Sequence, residues 1–172
     1  MTNIPYRPRS GAERTREAVL RWAAALPAAR YLVTAIPAAP EAGTVTHKRF
    51  LAYEDLEPAL RWLAQLNAKH FHVVGRPWNT RHVLIDDVPP ASLDGLVRWC
   101  TPAAVVESSP GSLQAWVTIA EEPVEPVLAD AVAKRLATRF GGDRFAARAS
   151  QAGRVPGFTN RKARHLDAER NM

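Results

Sequence analysis

Cysteine is almost absent from the 172 residues. Cys100 stands alone, so no internal disulfide can form and no cysteine-rich zinc module can be built. A reducing compartment is the expectation. Long apolar runs are missing as well: the alanine-rich stretch around Ala23 to Ala29 is bracketed by Arg21 and Arg30, far short of the roughly 18 uncharged residues a membrane span needs. The N-terminus, with Pro5, Arg7, Pro8 and Arg9, lacks the apolar block of a secretory signal, which leads to an expected cytoplasmic location with no membrane partner. Tyrosine is scarce, and Tyr6, Tyr31 and Tyr53 all lie early in the chain. Internal repeats and low-complexity tracts are lacking too.

What is present is a basic chain of a length that suits one domain with a proper core. Lysine and arginine number 23 against 17 aspartates and glutamates, for a formal net charge of +6. Such a balance favours polyanionic partners without separating nucleic acid from an acidic surface. The expected organisation is one catalytic domain over residues 1–172, with a basic arm at 1–10 and a frayed tail from about 160.

Apolar periodicity and turn residues divide the chain. Ser10 with Glu13 forms a capping-box pattern for a helix through Val19, Leu20 and Trp22 to about Leu26, ended by Pro27. Tyr31 to Ile36 and Thr44 to Ala52 read as strands, and Glu54 to Asn67 as an amphipathic helix with Leu56, Leu60, Leu63 and Leu66. His70 to Arg76 and Arg81 to Asp87 are further strands, expected to be antiparallel neighbours across the turn at Pro77, Trp78 and Asn79. A short helix over Ser92 to Cys100 follows, then strands Ala103 to Glu107 and Leu113 to Ala120 joined at Ser109, Pro110 and Gly111, then a long helix from Glu122 to Phe140 stopped by Gly141 and Gly142. Strands and helices intermixed through hairpins argue an α+β fold rather than a doubly wound parallel sheet.

The stretch RHVLIDD, Arg81 to Asp87, is a buried-strand pattern ending in two carboxylates and halted by Pro89 and Pro90. By themselves Asp86 and Asp87 read more simply as turn residues or as the cap of a helix beginning near Ala91. With AAVVESSPGSLQAW (Ala103 to Trp116) and GRVPGFTNRK (Gly153 to Lys162), in that order and spacing, the chain resembles the RepB-type replication primases of plasmids and mobile elements, members of the archaeo-eukaryotic primase superfamily.

The resemblance implies a mainly antiparallel sheet with a recognition-motif-like core, helices on one face and the active site on the other. It implies a DNA primase, a nucleotidyltransferase using two magnesium or manganese ions and no zinc, with single-stranded DNA template and nucleoside triphosphates as substrates. A helicase or other replication protein is an expected partner. Matching motif to motif, it assigns Asp86, Asp87 and Asp143 as catalytic metal ligands, and Ser108, Ser109, Gln114, Arg154, Asn160 and Lys162 as nucleotide or phosphate contacts, with Arg76 a further candidate. Gln114 departs from the superfamily, where a histidine stands at that place. One geometric requirement attaches to the pair. Neighbouring strand residues point to opposite faces, so Asp86 and Asp87 share a site only if the strand twists or ends there.

Two rival readings remain on the sequence alone. The first is a rolling-circle or relaxase-type nuclease holding metal with His70 and His72, alternate residues expected on one strand face. Such an enzyme needs a tyrosine nucleophile downstream, and all three tyrosines lie upstream. The second is a non-catalytic module for single-stranded nucleic acid, which would use exposed aromatic and basic residues and needs no carboxylates at the centre of its binding face. Under the primase reading Trp78 and Trp116 are candidates to stack template bases, although tryptophan in a domain of this size is more often core.

Overall fold

A computed structural model describes residues 9–39 and 44–161; most of the expected basic arm, the expected tail and Lys162 lie outside the described residues. The chain opens with α1 (Gly11–Ala25), capped as the sequence predicts: Ser10 Oγ accepts from the Glu13 amide and the Glu13 carboxylate accepts from the Ser10 amide. Then come β1 (Tyr31–Pro37), β2 (His47–Leu51), α2 (Tyr53–Ala68), β3 (Phe71–Pro77) and β4 (His82–Val88). A single 3₁₀ turn over Pro90–Ser92 leads into α3 (Leu93–Trp99), followed by the β5 (Ala104–Ser109) and β6 (Ser112–Thr118) hairpin, α4 (Pro126–Phe140) and the two-residue β7 (Gly153–Arg154). The long helix starts four residues later than the sequence pattern suggests. Pro123 and Pro126 each push the residue before them out of the helical region, and Pro126 then serves as the first helical residue.

The strands form two antiparallel sheets, ordered β2-β1-β3-β7 and β4-β6-β5. This corrects one expectation: β3 and β4 are not neighbours. The connection between them is drawn away to the end of α1. The Trp78 amide donates to Arg30 O at 2.8 Å, the Asn79 side chain donates to Pro27 O and accepts from the Arg81 amide, and the Arg76 guanidinium grips Pro77 O and Asn79 O. A loop anchored in that way cannot close as a tight hairpin, and β4 pairs with β6 instead.

The second sheet is a layer shared between two cores. Leu84 and Trp116 face a cluster built by Val19, Trp22, Leu26, Tyr31, Val33, Leu56 and Leu63 from α1, α2 and the first sheet. Val83, Ile85, Ala115 and Val117 face the opposite way, onto Ala129, Ala133, Leu136 and Phe140 of α4 and Leu96 of α3. Burial on both sides is why β4 reads as an unbroken apolar run instead of an alternating one. Trp116, 2% exposed, belongs to this core.

Candidate active site

The two acidic residues at the end of β4 meet on one side because of a bulge. The register runs Leu84 opposite Trp116 and Ile85 opposite Ala115, then resumes at Val88 opposite Leu113, so Asp86 and Asp87 together span the place of Gln114. Asp87 takes a left-handed backbone, φ 55°, which aspartate tolerates better than most side chains. The extra residue restores what the pleat would deny: both carboxylates reach the face carrying Ser112 and Gln114, alternate residues of β6. Asp86 Oδ1 accepts from Gln114 Nε2 at 2.8 Å and from the Asp87 amide at 2.9 Å, while Asp87 Oδ1 accepts from Ser112 Oγ at 2.6 Å.

A cleft of about 400 Å³ opens beside the pair, lined also by His72, Ser108, Gln114, Arg154 and Asn160. Its walls are tied to one another. Gln114, only 5% exposed, is held at both ends of its amide, because its Oε1 accepts from the Arg154 amide at 2.6 Å while its Nε2 serves Asp86. It therefore links β7 to the acidic strand, with both ends of its amide engaged by the protein. Asn160 Nδ2 donates to Ser108 O at 2.7 Å, and the Ser108 and Ser112 hydroxyls lie 3.2 Å apart, which ties the segment after β7 to the hairpin under Asp87. Burial lowers the Arg154 pKa from the usual arginine value and the Asp86 charge pulls it back; a guanidinium remains a cation across the working range.

The segment after α4 is docked on the end of β4 by a glycine. A Cβ on Gly142 would stand 2.6 Å from Ile85 Cγ2 and 2.7 Å from Asp86 O, so only glycine lets the backbone come close enough for the Asp143 amide to donate to Asp86 O at 2.8 Å. The Asp143 carboxylate does not line the cleft. Its Oδ1 accepts from the amides of Phe145 and Ala146 and caps the following turn. Among the described residues, no group of three histidine, cysteine, aspartate or glutamate side chains is gathered to hold a metal.

Of the other expected contacts, Ser109 ends β5 opposite Ser112 and stands outside the cleft lining, and Arg76 is buried under Trp78, tied to the β3–β4 loop. The histidine motif divides. His70 sits before β3 with φ 61°, so only His72 lies on the strand, and the expected pairing of two imidazoles on one strand face is not formed. That removes the geometry on which the nuclease reading rested. His72, which the sequence offered only as half of a histidine pair, lines the cleft, as do Ile36, Val74 and Gln151, which the pattern did not single out; the alternation of His72 with Val74 and Arg76 on β3 was the signal available.

The donor set fits a divalent ion. Magnesium is commonly held by one or two carboxylates together with substrate phosphates, and Asp86 with Asp87 offers two hard-oxygen ligands on one rim of a cleft that also carries a guanidinium. Among the described residues no helix is long and apolar enough to cross a membrane.

Residues 59–171 match the model of the RepB DNA-primase N-terminal domain. A DNA primase of Acidithiobacillus ferrooxidans is 30% identical over 162 residues, covering 84% of this chain and 45% of the relative. Mobilization protein A of Escherichia coli is 36% identical over 127 residues, 72% of this chain and 18% of the relative. The chain thus spans less than half the length of these curated relatives. Among solved structures, the catalytic domain of primase RepB' in complex with initiator DNA matches with a TM-score of 0.81 at 29% identity, covering 89% of this chain and 81% of that one. Primase RepB' matches with a TM-score of 0.80 at 31% identity, covering 87% and 52%.

Proposed function

Because the chain belongs to the RepB DNA-primase N-terminal domain family, we propose that it is a DNA primase, a nucleotidyltransferase making short primers on single-stranded DNA for replication of a plasmid or other mobile element. The observation that carries this reading is the bulge: it brings the Asp86 and Asp87 carboxylates to one face, on a cleft that Arg154 also lines. A nucleic-acid clamp without chemistry has no use for two carboxylates in that place, where they repel phosphate. The relative solved with initiator DNA supports DNA as the partner. Nucleoside triphosphates are the other substrate, and the enzyme works in the cytoplasm beside a helicase or other replication protein.

In the proposed mechanism Asp86 and Asp87 hold divalent ions, magnesium or manganese. When bound, such ions supply charge stabilisation at the attacking 3′ oxygen and the departing pyrophosphate. Arg154 binds the triphosphate with a forked cationic grip, and Ser108 and Asn160 shape the wall against which the phosphates lie. Gln114 holds Asp86 in orientation, so that one of the carboxylate's two oxygens is committed to the protein and the other is directed by it. Asp143 would supply a third carboxylate if its side chain left the turn-capping bonds to Phe145 and Ala146. Its amide already donates to Asp86 O, which holds its backbone at the end of β4.

Primer synthesis on a single-stranded template with added magnesium or manganese tests the reading. Asp86→Asn and Asp87→Asn should each lower synthesis at least about a hundredfold, the scale on which one charge-stabilising group acts. Asparagine is the right replacement at the bulge because it also tolerates the left-handed backbone. Unfolding midpoints should stay near that of the unaltered protein. Undiminished synthesis by the doubly substituted protein, or synthesis that survives chelation, would end the proposal.

A further inference from the structure

The registers of the first sheet place its residues in rows. Leu32 of β1 stands opposite Phe50 of β2 and Arg76 of β3; Thr34 opposite Lys48 and Val74; Ile36 opposite His72. Val74 is in turn opposite Arg154 of β7. Directly opposed residues point to the same face, and residues two apart along a strand share it. All three rows therefore lie on the face away from α2, since Tyr31, Val33, Leu51 and Val73, of the other parity, are buried against Leu56 and Leu63 of that helix.

This face is graded, and it is open only in part, since Thr34 and Arg76 on it are buried. The Ile36 and His72 row, and the Val74 and Arg154 ends of the next, line the cleft with the acidic pair. The middle row also carries the exposed Lys48. The last row, two rows and about 13 Å from the first at the strand rise of about 3.3 Å per residue, ends in Phe50. There the Phe50 and Trp78 rings meet edge to face, centroids 4.8 Å apart, each residue 51% exposed, with the Arg76 guanidinium 5.1 Å from the Trp78 ring.

We propose that this face carries the single strand of DNA past the acidic pair, and that Phe50 and Trp78 are the platform on which its bases stack. Two large aromatic rings left half in water, beside a core with room for tryptophan elsewhere, gain most from a flat apolar partner. Bases supply such faces whatever their sequence. The occupant is nucleic acid because the row between platform and cleft has a lysine at one end and an arginine at the other, complementary to phosphate, and because the platform continues into the cleft. Arg76, buried beneath Trp78 and tied to the loop, holds the indole in place. The strand's identity as template rests on the primase reading; the stacking does not.

Binding of a short fluorescent thymine oligonucleotide, measured by anisotropy in chelator and without nucleotides, tests the platform apart from catalysis. Phe50→Ala and Trp78→Leu should each weaken binding about tenfold, within the range that loss of one base stack produces. The dependence of affinity on salt should keep its slope, since no phosphate contact is removed. An oligonucleotide of abasic sites should bind the unaltered protein and both variants alike. Equal affinity of variants and unaltered protein for the thymine oligonucleotide overturns the proposal, as does an equal loss on the abasic strand, which would mean a disturbed fold or a charge effect. Variants that bind DNA normally but lose association with a replication protein overturn it in favour of a protein-docking surface. Failure of the Asp86 test with success here would remove the primase reading and leave the platform standing.

Discussion

Replacing Gln114 by glutamate turns the brace of the site against itself. The amide nitrogen that donates to Asp86 Oδ1 over 2.8 Å becomes a carboxylate oxygen of nearly the same shape, while the oxygen that accepts from the Arg154 amide is kept. Two unit charges about 4 Å apart repel by about 4 kcal/mol at an effective dielectric near 20, and the open cleft reduces this to about 2–4 kcal/mol. Protonating either carboxyl replaces the repulsion with a hydrogen bond, so the pair's folded pKa rises above the unfolded carboxyl value of about 4.3. Above the raised pKa the whole penalty is present; as pH falls through it toward 4.3 the penalty fades. The Gln114→Glu protein should thus be about 2–4 kcal/mol less stable than the unaltered protein at pH 8 and much closer to it at pH 5, in urea unfolding followed by tryptophan fluorescence. Magnesium should recover part of the pH 8 deficit by binding the folded state alone. Gln114→Leu, which loses both hydrogen bonds and adds no charge, should show a deficit independent of pH. A Gln114→Glu deficit of the same size at both pH values would show that Gln114 does not face Asp86 and would undo the account of the site.

Two further predictions concern the frame around the cleft. Gly142→Ala should cost about 1–3 kcal/mol, as overpacking against Ile85 and the Asp86 carbonyl forces the backbone apart, and should lower primer synthesis by moving the end of β4; unchanged urea midpoint and synthesis would contradict it. His82 is buried, with Nδ1 3.0 Å from Thr118 Oγ1, and burial, aided by the charge of Arg81, pushes its pKa down. The unfolded chain then takes up a proton near pH 6.5 that the folded protein refuses, so stability is lost as pH falls from there through the folded pKa. His82→Asn should flatten the fall in urea midpoint between pH 7 and 5, and an unaltered slope would refute the burial argument.

Much of the local structure could be read directly. The Ser10 and Glu13 capping box is a contact three residues long, the turn at Pro110 and Gly111 needs only those residues, and the run Val83 to Ile85 announced a strand buried on both sides. The neighbourhood of β3 and β4 could not be read, because the loop between them is anchored by the carbonyls of Pro27 and Arg30, some fifty residues earlier. The start of α4 was readable in principle from Pro123 and Pro126, which outweigh the apolar pattern there. Of the site, Asp86, Asp87, Ser108, Gln114, Arg154 and Asn160 stand together as the motifs imply. His72 was hidden because its motif suggested a partnership with His70 that a left-handed turn forbids. The hydrogen bonds of Asp143 and Arg76 depend on which amides and carbonyls the folded loops bring to them, and no spacing specifies that.

The chain alone determined which groups are available: two adjacent carboxylates after a strand, a basic excess, a lone thiol, and aromatic and cationic residues at alternating positions. Periodicity follows from backbone geometry, so strands, helices and the α+β class followed from it. Only the tertiary structure decided that Asp86 and Asp87 face the same way. A bulge exists only relative to a partner strand, and that partner, with Ser112 and Gln114 to receive the two carboxylates, lies some 25 residues further on. The open aromatic end of the sheet was decided in the same manner, since Phe50 and Trp78 become neighbours only when β2 and β3 have each paired with β1.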